Sequence, residues 1–180
     1  TLHGENTCRL KGWVEKTPGN ERHVLNLCRE FPCAKFIHII RKPADNIASL
    51  TRLSRLRGWG KNPADWAEYL KGLWCAGLQN AKSLDSEHYR FVKYEDLVEN
   101  TEDGMREIAD FLSIDYDPCT VFPSEGGRGV KANSMYSRGR REGIVRKTEG
   151  KRLSEEERHD AEICDAANTL KGLYEELNKS

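Results

Sequence analysis

The spacing of apolar residues along the chain predicts short strands separated by amphipathic helices. The strand segments are short apolar runs at Lys11–Glu15, Lys35–Arg41 and His88–Tyr94. The second contains the run Phe-Ile-His-Ile-Ile, which is apolar without polar alternation. Such a run is typical of a strand that is covered on both faces in a parallel sheet.

The helices are predicted from apolar residues three and four positions apart and from residues that begin or end helices. Pro43 and the pair Asn62-Pro63 are good helix starts, and Gly58 is a good helix end. In chain order, the predicted helices cover Asn20–Phe31, Pro43 to Gly58, Asn62 to Ala81, Asn100 to Leu112 and Ser154 to Leu177.

The order strand–helix–strand–helix–helix–strand–helix predicts an α/β fold with a parallel sheet flanked by helices. In such sheets, ligands bind beyond the carboxyl ends of the strands. The candidate functional residues are therefore those that follow the predicted strands: Glu15 and Lys16, Arg41, and Tyr94.

These residues have side chains suited to group transfer on an anionic ligand. Glu15 is able to accept a proton, and Lys16 to stabilise a phosphate or a leaving oxyanion. The Arg41 guanidinium and the hydroxyl of Ser49, eight residues later, are able to hold one phosphate together. Tyr94 offers a ring or a hydroxyl to a nucleotide. The simpler alternatives are a Glu15–Lys16 surface ion pair, an Arg41–Asp45 pair and a tyrosine at the edge of the core.

Composition narrows the class of protein. The 180 residues carry 29 Lys and Arg against 29 Asp and Glu, so no basic excess indicates a nucleic acid or membrane-surface partner. No apolar stretch approaches a membrane span. The six cysteines show no CxxC spacing, and no Cys or His cluster has the spacing of a metal site. Reduced thiols are expected, with Cys28, Cys75 and Cys164 on apolar helix faces.

A Gly-rich and basic region lies between the predicted helices that end at Leu112 and begin at Ser154. Residues 118–153 are predicted to form a long loop, and long loops in compact domains are often functional. The density of Lys and Arg between Lys131 and Lys151 suits an anionic ligand. A solvated charged loop is the alternative.

Taken together, these motifs resemble the sulfotransferase family over nearly the whole chain. The order and spacing of six segments carry the resemblance: Trp13–Pro18, Phe31–Pro43, Asp45–Ser49, Arg90–Val98, Ile108–Leu112 and Leu153–Leu173. The last of these is similar to the last helix of bacterial-type members. The string Glu15-Lys16-Thr17-Pro18 is similar to heparan sulfate 3-O-sulfotransferases. The resemblance implies a P-loop NTPase-like sulfotransferase fold, with residues 1–180 as one domain.

The resemblance also implies an activity. Members transfer a sulfuryl group from 3′-phosphoadenosine 5′-phosphosulfate (PAPS) to a hydroxyl or amine, leave adenosine 3′,5′-bisphosphate (PAP), and need no metal. Carried over, Glu15 is the catalytic base and Lys16 assists the leaving group. The donor contacts are Arg41 and Ser49 at the 3′-phosphate, with Tyr94, Ser134 and Lys147. The acceptor stays open among glycans, peptides and small molecules.

The chain departs from the family before Trp13, where the family has a strand and a loop that cradle the 5′-phosphosulfate. We expect the domain to be the C-terminal portion of the family's, with that segment removed upstream, carried on a separate chain, or lost. Weak donor binding and poor turnover follow from this expectation. A non-catalytic nucleotide-binding or anion-binding remnant is the alternative. A P-loop kinase is disfavoured because no GxxxxGK[ST] sequence occurs. The expected location is the cytoplasm, or the Golgi lumen if an anchor was removed.

Overall fold

The computed structural model describes residues 12–122, 124–125, 128–129 and 160–179, which are mostly helical and contain one parallel and one short antiparallel strand pair. The main elements are α1 (Val24–Glu30), β1 (Phe36–Ile40), α2 (Pro43–Arg57), α3 (Pro63–Ser83), β2 (Tyr89–Lys93), α4 (Tyr94–Glu99), α5 (Thr101–Leu112), β3 (Ser124–Glu125), β4 (Arg128–Gly129), α6 (Ala161–Asn168) and α7 (Lys171–Leu177). Short 3-10 turns cover Asn20–Arg22 and Pro118–Val121. The predicted α/β class is confirmed.

Strands β1 and β2 pair in parallel, with Phe36 opposite Tyr89 and Ile40 opposite Lys93. Helices α2 and α3 form the connection that a parallel pair requires. Because the last residues of the two strands are register partners, the chain leaves both strands at the same edge of the sheet. This edge carries the predicted functional residues Arg41 and Tyr94.

Local sequence explains where α2 and α3 begin and end. Pro43 is the first residue of α2, and Gly58 ends that helix at a φ of 67°, a left-handed conformation that glycine adopts at low cost. At the start of α3 the Asn62 side chain accepts a hydrogen bond from the Asp65 amide at 2.9 Å. The Asp65 carboxylate accepts one in return from the Asn62 amide at 2.9 Å. These ends confirm the predicted starts at Pro43 and Asn62.

The core lies where α2, α3, α6 and α7 pack together on one face of the strand pair. Ile47 of α2 and Leu170, between α6 and α7, have no exposed surface, and Trp74 of α3 is 2% exposed. Their neighbours in the same cluster include Ile40, Leu70, Leu78, Ile163 and Leu177. The predicted apolar faces of these helices are therefore the faces that pack.

A buried polar group lies within this sheet face. His38 of β1 forms a 2.8 Å hydrogen bond through Nδ1 with the hydroxyl of Tyr89 on β2. Its Nε2 lies 3.9 Å from the carboxylate of Glu21. The amide of Asn80 on α3 donates to the Glu21 carbonyl at 2.7 Å, which ties the first 3-10 turn to α3. Burial lowers the pKa of His38, and the Glu21 charge opposes that shift.

The strand predicted at Lys11–Glu15 does not form in its described part. Residues 12–17 have no regular structure, and Trp13 and Val14 are 61% and 93% exposed. A strand needs a hydrogen-bonding partner, and this segment has none among the described residues. Trp13 instead packs edge-on against Phe31, at 5.6 Å between ring centroids.

The prediction that β1 is covered on both faces is wrong. Ile40 is 1% exposed, but Ile39 on the opposite face is 54% exposed. The core helices cover only one face. On the other face the described residues place α5 beside β2, where the Arg90 side chain donates to the Glu107 carbonyl at 3.0 Å.

The last predicted helix is interrupted. Asp160 is not helical, and its carboxylate caps α6 by accepting hydrogen bonds from the amides of Glu162 and Ile163. A second break near Thr169 separates α6 from α7. The helix predicted from Ser154 to Leu177 is therefore not continuous, and Ser154 itself lies outside the described residues.

Three further predictions are settled in part. The described part of the loop predicted at 118–153 contains a 3-10 turn and the antiparallel pair β3–β4, because short-range hydrogen bonds suffice for both.

The five described cysteines are free, but Cys75 is exposed and does not lie on a packed face. None of the described helices is long and apolar enough to cross a membrane.

Candidate functional site

The Arg41 side chain lies over the Tyr94 ring where β1 and β2 end. The guanidinium carbon is 4.9 Å from the ring centroid, within the range of a cation–π contact. Arg41 thus stacks on Tyr94 and does not form the ion pair with Asp45 that was the predicted alternative. Nε of Arg41 is buried and has no hydrogen-bond partner among the residues that the structure describes. The arrangement leaves a positive charge with an unused donor at the edge where a parallel sheet binds ligands.

Glu95 connects the two strand ends through the backbone. One carboxylate oxygen, Oε1, accepts a hydrogen bond from the Lys42 amide at 3.0 Å. The other, Oε2, is buried and no described residue gives it a hydrogen-bond partner. Glu95 therefore holds the residue that follows Arg41, while its neighbour Tyr94 supports the Arg41 side chain.

Helix α7 reaches the same edge through Tyr174. Burial first and the negative charge of Glu95 second raise the pKa of Tyr174 to about 12. The nearby side chain of Asn178 opposes that shift of the Tyr174 pKa. Tyr174 also packs on the core residue Trp74, at 5.8 Å between ring centroids. The Glu95 carboxylate thus bonds the turn after β1 and is near enough to Tyr174 for its charge to affect the pKa of that hydroxyl.

Ser49 lies on α2, two helical turns beyond Arg41 in sequence, and is half-buried. Helix α2 starts at this sheet edge, so its first turns lie closest to the strand ends. Its chain neighbours are the buried Ala48 and the half-buried Leu50. Its shared role with Arg41 in holding a phosphate stays a prediction.

Glu15 and Lys16 are exposed on the irregular segment before the first 3-10 turn. The Glu15 carboxylate accepts hydrogen bonds from the hydroxyl of Thr17 and the side-chain amide of Asn20. It does not form the surface ion pair with Lys16 that was the simpler alternative. The carboxylate is held by its neighbours and stays open to solvent.

The structure brings some of the predicted site residues together and leaves others apart. Arg41 and Tyr94 are in contact, whereas no hydrogen bond or ion pair joins Glu15 or Lys16 to either of them in the described part of the chain. Ser134 and Lys147 lie outside the described residues, as does the basic region between Lys131 and Lys151. Among the residues described, no group of three or more His, Cys, Asp or Glu side chains is arranged to bind a metal ion.

Sequence reasoning missed the roles of Glu95 and Tyr174. The Glu95 carboxylate does not cap α4, and it bonds Lys42, 53 residues away. A carboxylate directly after a strand end is a weak signal for such a contact. Tyr174 shows only the helical spacing of a core residue, so its sequence carries no signal for this site.

Comparisons with known proteins identify the family and the fold of the chain. Residues 4–118 match the model of a family described as the sulfotransferase family. The sulfotransferase domain from the Synechococcus PCC 7002 olefin synthase has a similar structure, with 25% identity and a TM-score of 0.61. That similarity covers 87% of this chain and 57% of the other.

A sulfotransferase domain from the curacin biosynthetic pathway also shares the fold, with 23% identity and a TM-score of 0.57. The similarity covers 88% of this chain and 62% of that one. The chain thus spans less than two thirds of the length of either solved domain. No curated protein sequence gives a significant match. The family model spans more than half of the chain, and with the shared fold this shows that the chain belongs to the sulfotransferase family.

Proposed function

We propose that the chain binds PAPS and takes part in transferring its sulfuryl group to a hydroxyl or amine acceptor. The observation that carries the proposal is the state of Arg41. Arg41 is half-buried, its guanidinium is stacked on Tyr94, and its buried Nε is unpaired within the described part of the chain. A buried donor without a partner is costly, and an anionic ligand at the same edge offsets that cost.

The residues at this edge fit the 3′-phosphate of the nucleotide. A guanidinium forms two parallel hydrogen bonds to a phosphate, and stacking on a ring pre-orients it for that contact. Ser49 follows on α2 as the proposed second donor. Tyr94, Ser134 and Lys147 are proposed as further contacts to the nucleotide, and no metal is needed for any of these contacts.

Glu15 and Lys16 are the proposed catalytic pair. When bound, the donor supplies a sulfuryl group whose sulfur–oxygen bond to phosphate is weak enough to break during transfer. Glu15 takes the proton from the attacking hydroxyl, and Lys16 offsets the charge that develops on the departing phosphate. Both side chains are exposed, so an acceptor reaches them without a conformational change.

Titration calorimetry tests the nucleotide site. Wild type is titrated with PAP, with 5′-AMP and with ATP, and the PAP titration is repeated on Arg41→Ala. The matched control is Arg29→Ala, because Arg29 is an exposed arginine on α1 whose side chain bonds Asn26 of the same helix. PAP binding that is lost only in Arg41→Ala supports the proposal. Equal binding of PAP and 5′-AMP by wild type contradicts a 3′-phosphate site.

Glu15→Gln tests the proposed base. Transfer of a radiolabelled sulfuryl group is measured across panels of glycans, peptides and small molecules, which also samples the acceptor class. Removing a general base lowers the rate roughly 10²- to 10⁴-fold, while PAP affinity stays unchanged. Glu30→Gln, an exposed carboxylate at the end of α1, is the control.

A non-catalytic binding domain is the second candidate. It is favoured by the separation of the two halves of the proposed site, since Glu15 makes no direct contact with the Arg41–Tyr94 stack. PAP binding with no transfer to any acceptor, and no effect of Glu15→Gln, would support this candidate over the enzyme.

A further inference from the structure

We infer that Glu95 is a positioning residue that sets the conformation of the turn carrying Arg41. This inference rests on the proposed function, because it assigns Glu95 a part in nucleotide binding through Arg41. It begins from the hydrogen bond between the Lys42 amide and Glu95 Oε1, 3.0 Å long. Lys42 is the residue between Arg41 and the first residue of α2.

Both backbone polar groups of Lys42 are hydrogen-bonded in this turn. Pro43 has no N–H, so the Lys42 amide is the last backbone donor before the helix begins. The Lys42 carbonyl is already used, because it accepts from the Asn46 amide at 3.0 Å in the first turn of α2. Lys42 is thus held at its carbonyl by the helix and at its amide by Glu95. Fixing that amide fixes the direction in which the Arg41 backbone leaves β1.

Neighbouring residues hold Arg41 at two points. The Tyr94 ring packs against the guanidinium, whose carbon is 4.9 Å from the ring centroid. The Glu95 carboxylate bonds the amide of the next residue, Lys42. Both supports lie at the start of α4, directly after β2. A shift of α4 therefore moves the Tyr94 ring and the Glu95 carboxylate together. The hydrogen bond from Lys42 to Glu95 is what fixes the position of the Arg41 side chain relative to the sheet edge.

Tyr174 of α7 is near the Glu95 carboxylate, whose negative charge adds to burial in raising the pKa of the Tyr174 hydroxyl. The ring of Tyr174 is packed on Trp74, which is 2% exposed. The C-terminal helix is thus a neighbour of the residue that bonds Lys42.

The test compares Glu95→Ala with Glu95→Gln in the full chain. A glutamine keeps an oxygen that accepts from the Lys42 amide, whereas an alanine does not. Glu95→Ala is expected to weaken PAP binding about tenfold, the loss expected for one charge-assisted hydrogen bond. It is expected to change 5′-AMP binding less than about twofold, because the phosphate that Arg41 is proposed to bind is missing from 5′-AMP. Glu95→Gln is expected to restore PAP binding to within about threefold of wild type.

Asp96→Ala is the matched control, an exposed carboxylate one residue further along α4. A purely structural role for Glu95 predicts a different pattern, in which Glu95→Ala weakens PAP and 5′-AMP equally and lowers the melting temperature. That pattern overturns the inference, as does unchanged PAP binding in Glu95→Ala.

Hydrogen exchange at the Lys42 amide separates this inference from the proposed function. The amide is expected to exchange slowly in wild type and in Glu95→Gln, and faster in Glu95→Ala. Unchanged exchange in Glu95→Ala overturns the inference whatever the nucleotide does. Absence of PAP binding to wild type overturns the proposed function, and with it the nucleotide role of Glu95, even if the Lys42 amide behaves as expected.

Discussion

Gly77 of α3 lies directly against the His38 ring of β1. A Cβ added at Gly77 would stand 2.6 Å from His38 Nδ1 and 3.2 Å from a ring carbon of Phe91. His38 cannot swing away easily, because it is 6% exposed and hydrogen-bonded to Tyr89. The absence of a side chain at Gly77 is therefore what allows α3 to approach the sheet this closely.

Gly77→Ala is expected to destabilise the protein. The helix gains from replacing glycine, about 1 kcal/mol, but the clash with a buried ring costs about 1–3 kcal/mol. The free energy of unfolding is thus expected to fall, by up to about 2 kcal/mol, as measured by urea denaturation. Gly72→Ala is the control on the same helix, since its Cβ meets only the end of the Arg22 side chain at 3.4 Å. Gly72→Ala is expected to stabilise, and a Gly77→Ala variant that also stabilises contradicts the close contact.

The stability of the fold is expected to depend on the protonation of His38. Burial lowers its pKa below 6.5 in the folded protein, so the unfolded chain binds more protons in this range. The contribution of neutral His38 to the free energy of unfolding is fully present above pH 6.5. It is lost as the pH falls from 6.5 toward the lowered pKa. Glu21 is the charged group that faces the ring, and it partly opposes the effect.

Urea denaturation between pH 5 and pH 8 measures this dependence. One proton released on folding gives a slope of at most about 1.4 kcal/mol per pH unit. His38→Gln is expected to flatten the slope assigned to this group. A slope that persists in His38→Gln would assign the pH dependence to another residue.

The start of α3 gives a separate prediction of stability. Asn62→Ala removes the side chain that accepts from the Asp65 amide at 2.9 Å, leaving that donor without its cap. Loss of such a cap costs about 1 kcal/mol, measured as a lower free energy of unfolding. Gln79→Ala, exposed on the same helix, is the control and is expected to change stability little. A cost no larger than that of Gln79→Ala contradicts the capping role.

Much of the fold was predictable because it depends on local chemistry. Pro43, Gly58 and Asn62 mark helix ends through the backbone conformation and hydrogen bonds that each residue type favours. The apolar run Phe36–Ile40 predicted a parallel strand, and parallel pairing placed Arg41 and Tyr94 at one edge. Where the prediction depended on a neighbour distant in sequence, it was incomplete. Whether a strand face is covered depends on which elements pack against it, and the exposed Ile39 shows this.

The site was predictable only in its parts. A cation and an aromatic residue after neighbouring strands were sufficient to expect Arg41 and Tyr94 at one place. The partner of the Glu95 carboxylate was not predictable, because Lys42 contributes a backbone amide, which every residue except proline has. Tyr174 reaches the site only through the packing of α7 on α3. Such contacts follow from tertiary structure and leave no pattern in the local sequence.

Because Arg41 stacks on the Tyr94 ring, two substitutions at Tyr94 separate the role of the ring from the role of the hydroxyl. Tyr94→Phe keeps the ring face and is expected to bind PAP within about twofold of wild type. Tyr94→Leu removes the cation–π contact, worth about 0.5–1 kcal/mol at a partly exposed site. The expected result is an affinity about two- to fivefold weaker, measured by the same calorimetric titration.

The control for the Tyr94 variants is a second stack of the same kind, far from the sheet edge in sequence. Arg106 lies 4.1 Å from the centroid of Tyr116, so Tyr116→Leu removes a cation–π contact without touching Arg41. It is expected to leave PAP affinity unchanged. If Tyr94→Phe weakens binding as much as Tyr94→Leu, the hydroxyl contributes the contact and the ring is not the support for Arg41. If both variants bind as wild type does, the stack plays no part in holding the nucleotide.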